Sequence, residues 1–189
     1  TARPTRRAVI GAGIAIASGG AIGALAPRDL SGRGSAHSLP FVGVNLASAE
    51  FGNVPGRHAQ DYTYPSSEDV DYFAKLGFNC LRLPFRWERL QPSLNGAFEP
   101  EEKLRLERLV ADVTGRGLAA LIDPHNYARR RVREDDWSRE HLIGSRAVPT
   151  ESFLDFWSRL AAMFKDDQRV ILGLMNEPYD LSATQWLQI

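Results

Sequence analysis

From Phe41 onward the chain repeats one rhythm: a short apolar run, a polar loop, a segment with its apolar residues on one helical face, then the next apolar run. Phe41-Val42-Gly43-Val44-Asn45 predicts a first strand. A long polar loop runs to Pro65, after which Ser66 or Ser67 is placed to cap a helix. That helix carries Val70, Phe73 and Ala74 on one face, and Gly77 ends it. Asn79 to Phe85 predicts a second strand. Glu101 to Arg116 predicts a second helix, because Leu106, Leu109, Val110 and Val113 fall at i, i+3, i+4 and i+7. Ala119 to Asp123 predicts a third strand, and Thr150 is placed to cap a helix striped with Phe153, Phe156, Trp157, Leu160 and Phe164. Val170 to Met175 predicts a fourth strand, and a further helix starts near Ser182.

Apolar strands separated by helices imply an α/β fold with a parallel sheet covered by helices. Four such units fit the first half of an eight-fold β/α (TIM) barrel or part of an open doubly wound sheet. Two features favour the barrel. No Gly-rich phosphate loop follows the first strand, as a nucleotide-binding sheet would carry. Polar residues also gather at the C-terminal ends of the strands, where a barrel keeps its active site: Asn45, Arg82, His125 with Asn126, and Asn176 with Glu177.

Residues 1–36 follow another pattern. Arg3, Arg6 and Arg7 precede a Gly- and Ala-rich apolar stretch from Ala8 to Ala26, and Ala24-Leu25-Ala26 offers a small-x-small cleavage pattern. Thr5-Arg6-Arg7-Ala8-Val9-Ile10 resembles a twin-arginine export motif. The alternative is a membrane anchor, against which the many glycines argue. The expectation is an export signal and linker over 1–36, no stable membrane anchor, and a secreted or periplasmic protein. Residues 37–189 then form the catalytic part. The start at Thr1 and the stop at Ile189, inside a predicted helix, read as a partial reading frame.

Charge narrows the partners. Positive and negative side chains balance at 23 each, so nothing in the composition calls for nucleic acid, and a neutral polysaccharide fits. Cys80 is the single cysteine, set in an apolar run, and no Cys/His cluster has zinc spacing.

Leu172-Gly173-Leu174-Met175-Asn176-Glu177-Pro178 delivers an amide and a carboxyl side by side at a strand end, where Pro178 stops the strand. Partial withdrawal from water there would raise the carboxyl's pKa and suit Glu177 to general acid catalysis. The competing reading is a simple strand-ending turn. Alternation along β-structure turns Leu81 and Leu83 to one face and Arg82 to the other, into the barrel, where a guanidinium needs a carboxylate partner; a catalytic carboxylate held ionised is the expected one, and a purely structural ion pair is the alternative. Asp123-Pro124-His125-Asn126-Tyr127 ends the third strand with groups able to bond a sugar hydroxyl, and Asp123 can remain inside as a partner to them. Trp157 reads as core; Trp87, Tyr127 and Trp137 fall in loops after strands and are candidate sugar-stacking platforms. Arg129-Arg130-Arg131 with Arg133, followed by Glu134-Asp135-Asp136, reads as a solvated, internally paired loop.

In order and spacing, Gly43-Val44-Asn45, Leu81-Arg82-Leu83-Pro84, Asp123-Pro124-His125-Asn126-Tyr127 and Gly173-Leu174-Met175-Asn176-Glu177-Pro178 resemble glycoside hydrolase family 5, its endoglucanases (cellulases) above all. The resemblance covers about Phe41 to Ile189. It implies a β/α barrel that hydrolyses β-1,4-glucan with retention of configuration, with no metal or organic cofactor, as a monomer. Glu177 matches the family's acid/base and Asn176 its substrate-binding amide; Arg82 and His125 match its active-site arginine and histidine. Asn126, Tyr127 and Trp87 join the expected substrate contacts. The family's nucleophile is a Glu on a later strand, beyond Ile189, so this fragment alone is expected to be inactive. One departure bears on substrate: Arg130 to Arg146 is longer and more charged than the short glycine-rich loop expected there. A β-mannanase or mixed-linkage glucanase of the same fold, a non-catalytic carbohydrate-binding barrel and a phosphate-handling metabolic barrel are the alternatives.

Overall fold

The computed structural model describes residues 39–189. The export segment expected over 1–36 lies outside the described residues. Four strands form one parallel sheet: β1 (Gly43–Asn45), β2 (Cys80–Phe85), β3 (Ala119–Pro124) and, after a separate hairpin, β6 (Val170–Leu172). Their spatial order follows the chain order, each strand beside its predecessor. A doubly wound sheet reverses direction at a switch point, whereas a barrel adds strands in sequence. The order observed is the barrel's.

Helices cover one face. α1 (Ser67–Lys75) starts at Ser66, whose hydroxyl accepts from the Asp69 N–H while the Asp69 carboxylate accepts from the Ser66 N–H, a reciprocal cap. α3 (Pro100–Gly115) buries Leu106, Leu109, Val110 and Val113, the stripe its periodicity predicts. α4 (Thr150–Phe164) buries Phe153, Phe156, Leu160 and Phe164, with Trp157 partly buried against the same core. Thr150 is the first helical residue rather than the cap, which falls on Pro149 without a side-chain bond. α5 (Ala183–Leu187) is capped by Ser182 with Gln185.

Two elements lie between these units without an apolar period to announce them. α2 (Trp87–Leu90) is a single turn directly after β2, and all four of its residues are buried. β4 (Arg129–Arg131) and β5 (Glu140–Leu142) pair antiparallel, joined through a 3-10 turn at Arg133–Asp135. The expected solvated loop is therefore a hairpin, and its middle arginine is not solvated. Arg130 is 1% exposed, donating to the carbonyls of Gln91, Pro92 and Arg131, with its guanidinium 5.0 Å from the Trp87 ring centroid. Carbonyl dipoles and a ring face meet its charge in place of water, and burial pulls its pKa down. Cys80 is half-buried on β2, where burial raises its thiol pKa.

Candidate active site

The site is built at the C-terminal ends of the four parallel strands. On β2, Leu81 and Leu83 point into the helix-covered core at 0% and 1% exposure, and Arg82 points the other way, as alternation requires. Its guanidinium gathers a residue from each of the other strand ends. Nη1 donates to Asn45 Oδ1 at 2.9 Å; Nη2 donates to Asp123 Oδ2 and to Asn176 Oδ1, each at 2.6 Å. The carboxylate partner is Asp123, an ion pair inside the fold rather than the catalytic carboxylate expected. Asp123 is only 5% exposed at its side chain, and Arg82 keeps 28%, so the pair stands at the edge of the interior.

His125 extends the cluster. Its Nδ1 lies 3.1 Å from Asp123 Oδ2, and its Nε2 lies 3.0 Å from the Tyr127 hydroxyl. An Nδ1–H donating to the carboxylate with Nε2 accepting from the tyrosine O–H satisfies both contacts, and Arg82 Nη2 stands 3.4 Å from the same Nδ1. The His125 carbonyl accepts from Arg86 Nη1 at 2.7 Å, and Arg86 Nε reaches the Glu50 carbonyl at 2.9 Å. Tyr127 adopts φ 57°, an uncommon left-handed backbone for a tyrosine, which turns its ring back over His125, 5.1 Å away edge-to-face.

After β6 the chain keeps company with β3 for four more residues, through Gly173 N–H to the Ile122 carbonyl and Asn176 N–H to the Pro124 carbonyl, 2.9 and 3.0 Å. Asn176 is buried, its Oδ1 taken by Arg82, which leaves its Nδ2 as the group it can offer a ligand. Glu177 follows at φ 37°, a left-handed conformation that costs a residue with a side chain about 1–2 kcal/mol. Its side chain is exposed. The withdrawal from water expected of it is thus not supplied by residues 39–189: β6 lies at an edge of the sheet, with β3 its one strand neighbour.

Two expected substrate contacts are corrected. Trp87 is 0% exposed, packed 4.9 Å from Phe156 and 5.7 Å from Phe153 between ring centroids, with Nε1–H donating to Gln91. A ring enclosed on both faces offers no platform. Asn126, 3% exposed, accepts from the Trp87 N–H and donates to Glu88, so its amide joins β3 to α2 and does not face a ligand. Trp137 sits in the hairpin connection, partly exposed.

The residues that sequence reasoning missed are those that hold the loops. Glu88, 2% exposed, accepts from Asn126 and from the Arg131 N–H, tying the hairpin to α2. Arg89, 4% exposed, donates to the carbonyls of Ala49, Phe51, Asn53 and Pro55 at 2.5 to 2.8 Å, and lies 3.6 Å over the Tyr62 ring. It pins the long loop between β1 and α1. Charged residues directly after an apolar strand are the only trace either leaves in the sequence. Among the described residues, no group of three or more His, Cys, Asp or Glu side chains forms a metal cluster, and no helix is long and apolar enough to cross a membrane.

Known proteins resemble the chain in sequence and in fold. It is 32% identical over 178 residues to "Endo-beta-1,4-glucanase B" of Emericella nidulans, covering 93% of this chain and 49% of that protein. Among solved structures, XacCel5A in complex with cellopentaose superposes with a TM-score of 0.71 at 41% identity, covering 78% of this chain and 45% of that one. The endoglucanase Cel5A of Pseudomonas stutzeri in complex with cellobiose gives 0.68 at 32% identity, covering 76% and 42%. The chain spans about half the length of the curated relatives it matches. The family model "Cellulase (glycosyl hydrolase family 5)" matches residues 43–189, from the first strand to the last helix. Sequence and strand order thus converge, and this chain belongs to glycosyl hydrolase family 5.

Proposed function

We propose that the protein is an endo-β-1,4-glucanase that cleaves with retention of configuration, Glu177 serving as acid/base. Residues 37–189 contribute the first half of its catalytic barrel. The observation that carries this reading is the Arg82 cluster. One guanidinium orients Asn176 beside Glu177 while holding Asp123 and, through it, His125. That arrangement presents an amide N–H to a sugar hydroxyl and a carboxyl to the adjoining glycosidic bond. The relatives that carry cellopentaose and cellobiose support a β-1,4-linked glucan as substrate.

In the first step Glu177 gives its proton to the glycosidic oxygen as a second carboxylate bonds to the anomeric carbon, and the aglycone leaves as an alcohol. In the second, Glu177 takes a proton from water, whose oxygen replaces the carboxylate at that carbon. Retention requires the two carboxyls about 5 Å apart. The resemblance to the family assigns the nucleophile to a Glu on a later strand, outside residues 39–189, and the Asp123 carboxylate is engaged by Arg82 and His125. Tyr127 and His125 line the site as hydroxyl-binding groups. We further propose export by the twin-arginine-like segment, which places the enzyme where insoluble or extracellular glucan is met.

The test is reducing-sugar release by the full-length protein on soluble β-1,4-glucan and on β-mannan, beside Glu177→Gln. Glucan hydrolysis that falls by about 10²–10⁴-fold in the variant supports the reading. Release from mannan alone replaces the substrate, and release from neither removes the hydrolase assignment.

A further inference from the structure

The turn that carries Glu177 is hydrogen-bonded to the rest of the fold through one side chain, with the Tyr127 ring packed edge-to-face on Tyr179, 6.0 Å between centroids. Asn176 is anchored to β3 by its N–H, and Ser182 by its cap on α5. Between them, among the described residues, the hydrogen bonds joining 177–181 to the rest of the fold come from Arg129. Nη1 donates to the Tyr179 carbonyl at 3.0 Å, and Nη2 donates to Asp180 Oδ2 at 2.9 Å. The guanidinium carbon also lies over the Tyr179 ring, 3.7 Å from its centroid, and Nη1 donates to the Tyr127 carbonyl at 3.2 Å. A planar fork satisfies three acceptors and a ring face at once, which a compact ammonium on a flexible stem matches poorly.

Arg129 is itself a fixed post. Its N–H donates to the Asn126 carbonyl at 2.8 Å, it pairs with Leu142 across the hairpin, and its side chain is 12% exposed. The turn it grips is under tension: Glu177 at φ 37° and Asp180 at φ 56° both occupy left-handed backbone. Non-glycine residues hold such conformations only where the surroundings over-determine them. The geometry points to Arg129 as a positioning residue that keeps the Glu177 carboxyl in register with the Arg82 cluster. This rests on the proposed role of Glu177.

The test compares the full-length protein with Arg129→Ala, Arg129→Lys and Asp180→Ala on two substrates. Soluble β-1,4-glucan needs its leaving oxygen protonated; an aryl cellobioside with a strongly acidic phenol does not. Arg129→Ala is expected to lose about 10–100-fold in kcat/KM on glucan. On the aryl cellobioside kcat/KM is expected to change less than about threefold, because that constant reports the step needing no proton. Arg129→Lys falls between. Equal losses on both substrates, or none on either, overturn the proposal. Chymotryptic nicking after Tyr179 under native conditions, expected to quicken at least about tenfold without Arg129, reads the clamp independently of activity. Unchanged nicking overturns it too. If Arg129→Ala fails to fold, Asp180→Ala, whose side chain is 73% exposed, carries the same two readouts in smaller measure. Glucan activity in Glu177→Gln equal to that of the unmodified protein defeats the acid/base role and this proposal with it. A failed clamp with a dead Glu177→Gln defeats this proposal alone.

Discussion

At the scale of single residues, Arg82 organises the site because a guanidinium turned inward from β2 and only 28% exposed needs acceptors from the protein. It must find acceptors, and three of the four strand ends supply one by side chain: Asn45, Asp123 and Asn176. Alternation in Leu81-Arg82-Leu83 is enough to predict its direction and its need for a carboxylate, and Asp123 was identifiable as an interior partner. Which carboxylate would answer was not legible, since it depends on strand register: Arg82 is level with Leu121, two residues before Asp123 on β3. Removing the partner isolates the charge. Asp123→Ala is expected to destabilise by about 2–3 kcal/mol in urea unfolding, below the about 3–5 kcal/mol of a fully buried pair because Arg82 is 28% exposed. Glu177 shows the converse. Its place at a strand end follows from Pro178, but its solvation depends on groups distant in sequence, and residues 39–189 leave it exposed.

At the scale of elements, long periodic segments were readable and short ones were not. α3 and α4 bury the stripes their sequences predict, because three or four turns give the period room to repeat. α2 is one turn, too short for any period, and so Trp87 looked like a loop residue with a free ring. The hairpin was hidden for a different reason. An Arg-rich strand has no apolar alternation, and Arg130 is buried because main-chain carbonyls meet its charge. Trp87 decides between core and platform experimentally. Trp87→Phe keeps most of the packing but strands Gln91 Oε1, and is expected to cost about 1–3 kcal/mol in stability. KM for a cello-oligosaccharide should not move. Trp87→Ala opens a cavity beside Phe153 and Phe156 and is expected to cost about 3–5 kcal/mol.

Across the whole molecule, sequential strand order separates the barrel from the doubly wound alternative, and that order depends on how closely β1 can approach β2. Gly43 allows it: a Cβ there would stand 2.2 Å from the Cys80 carbonyl oxygen, a backbone atom that cannot swing aside. Gly43→Ala is therefore expected to destabilise by about 1–3 kcal/mol in thermal or urea unfolding. Because β1 also delivers Asn45 to Arg82, activity at permissive temperature should fall with it. An unchanged melting temperature would show that β1 lies farther from β2 than described.

The grip of Arg89 on the loop between β1 and α1 has a consequence for variation. It recognises four main-chain oxygens, at Ala49, Phe51, Asn53 and Pro55, and any amino acid supplies such an oxygen. At these anchor points the loop's path is thereby uncoupled from exposed side chains, while Gly52 at φ 75° and Gly56 at φ 70° still require glycine. Side chains such as Phe51, 57% exposed, can be exchanged wholesale while the anchor stays intact. Diversity introduced at Phe51 should yield folded proteins at high frequency, and the same diversity placed at Arg89 should yield few.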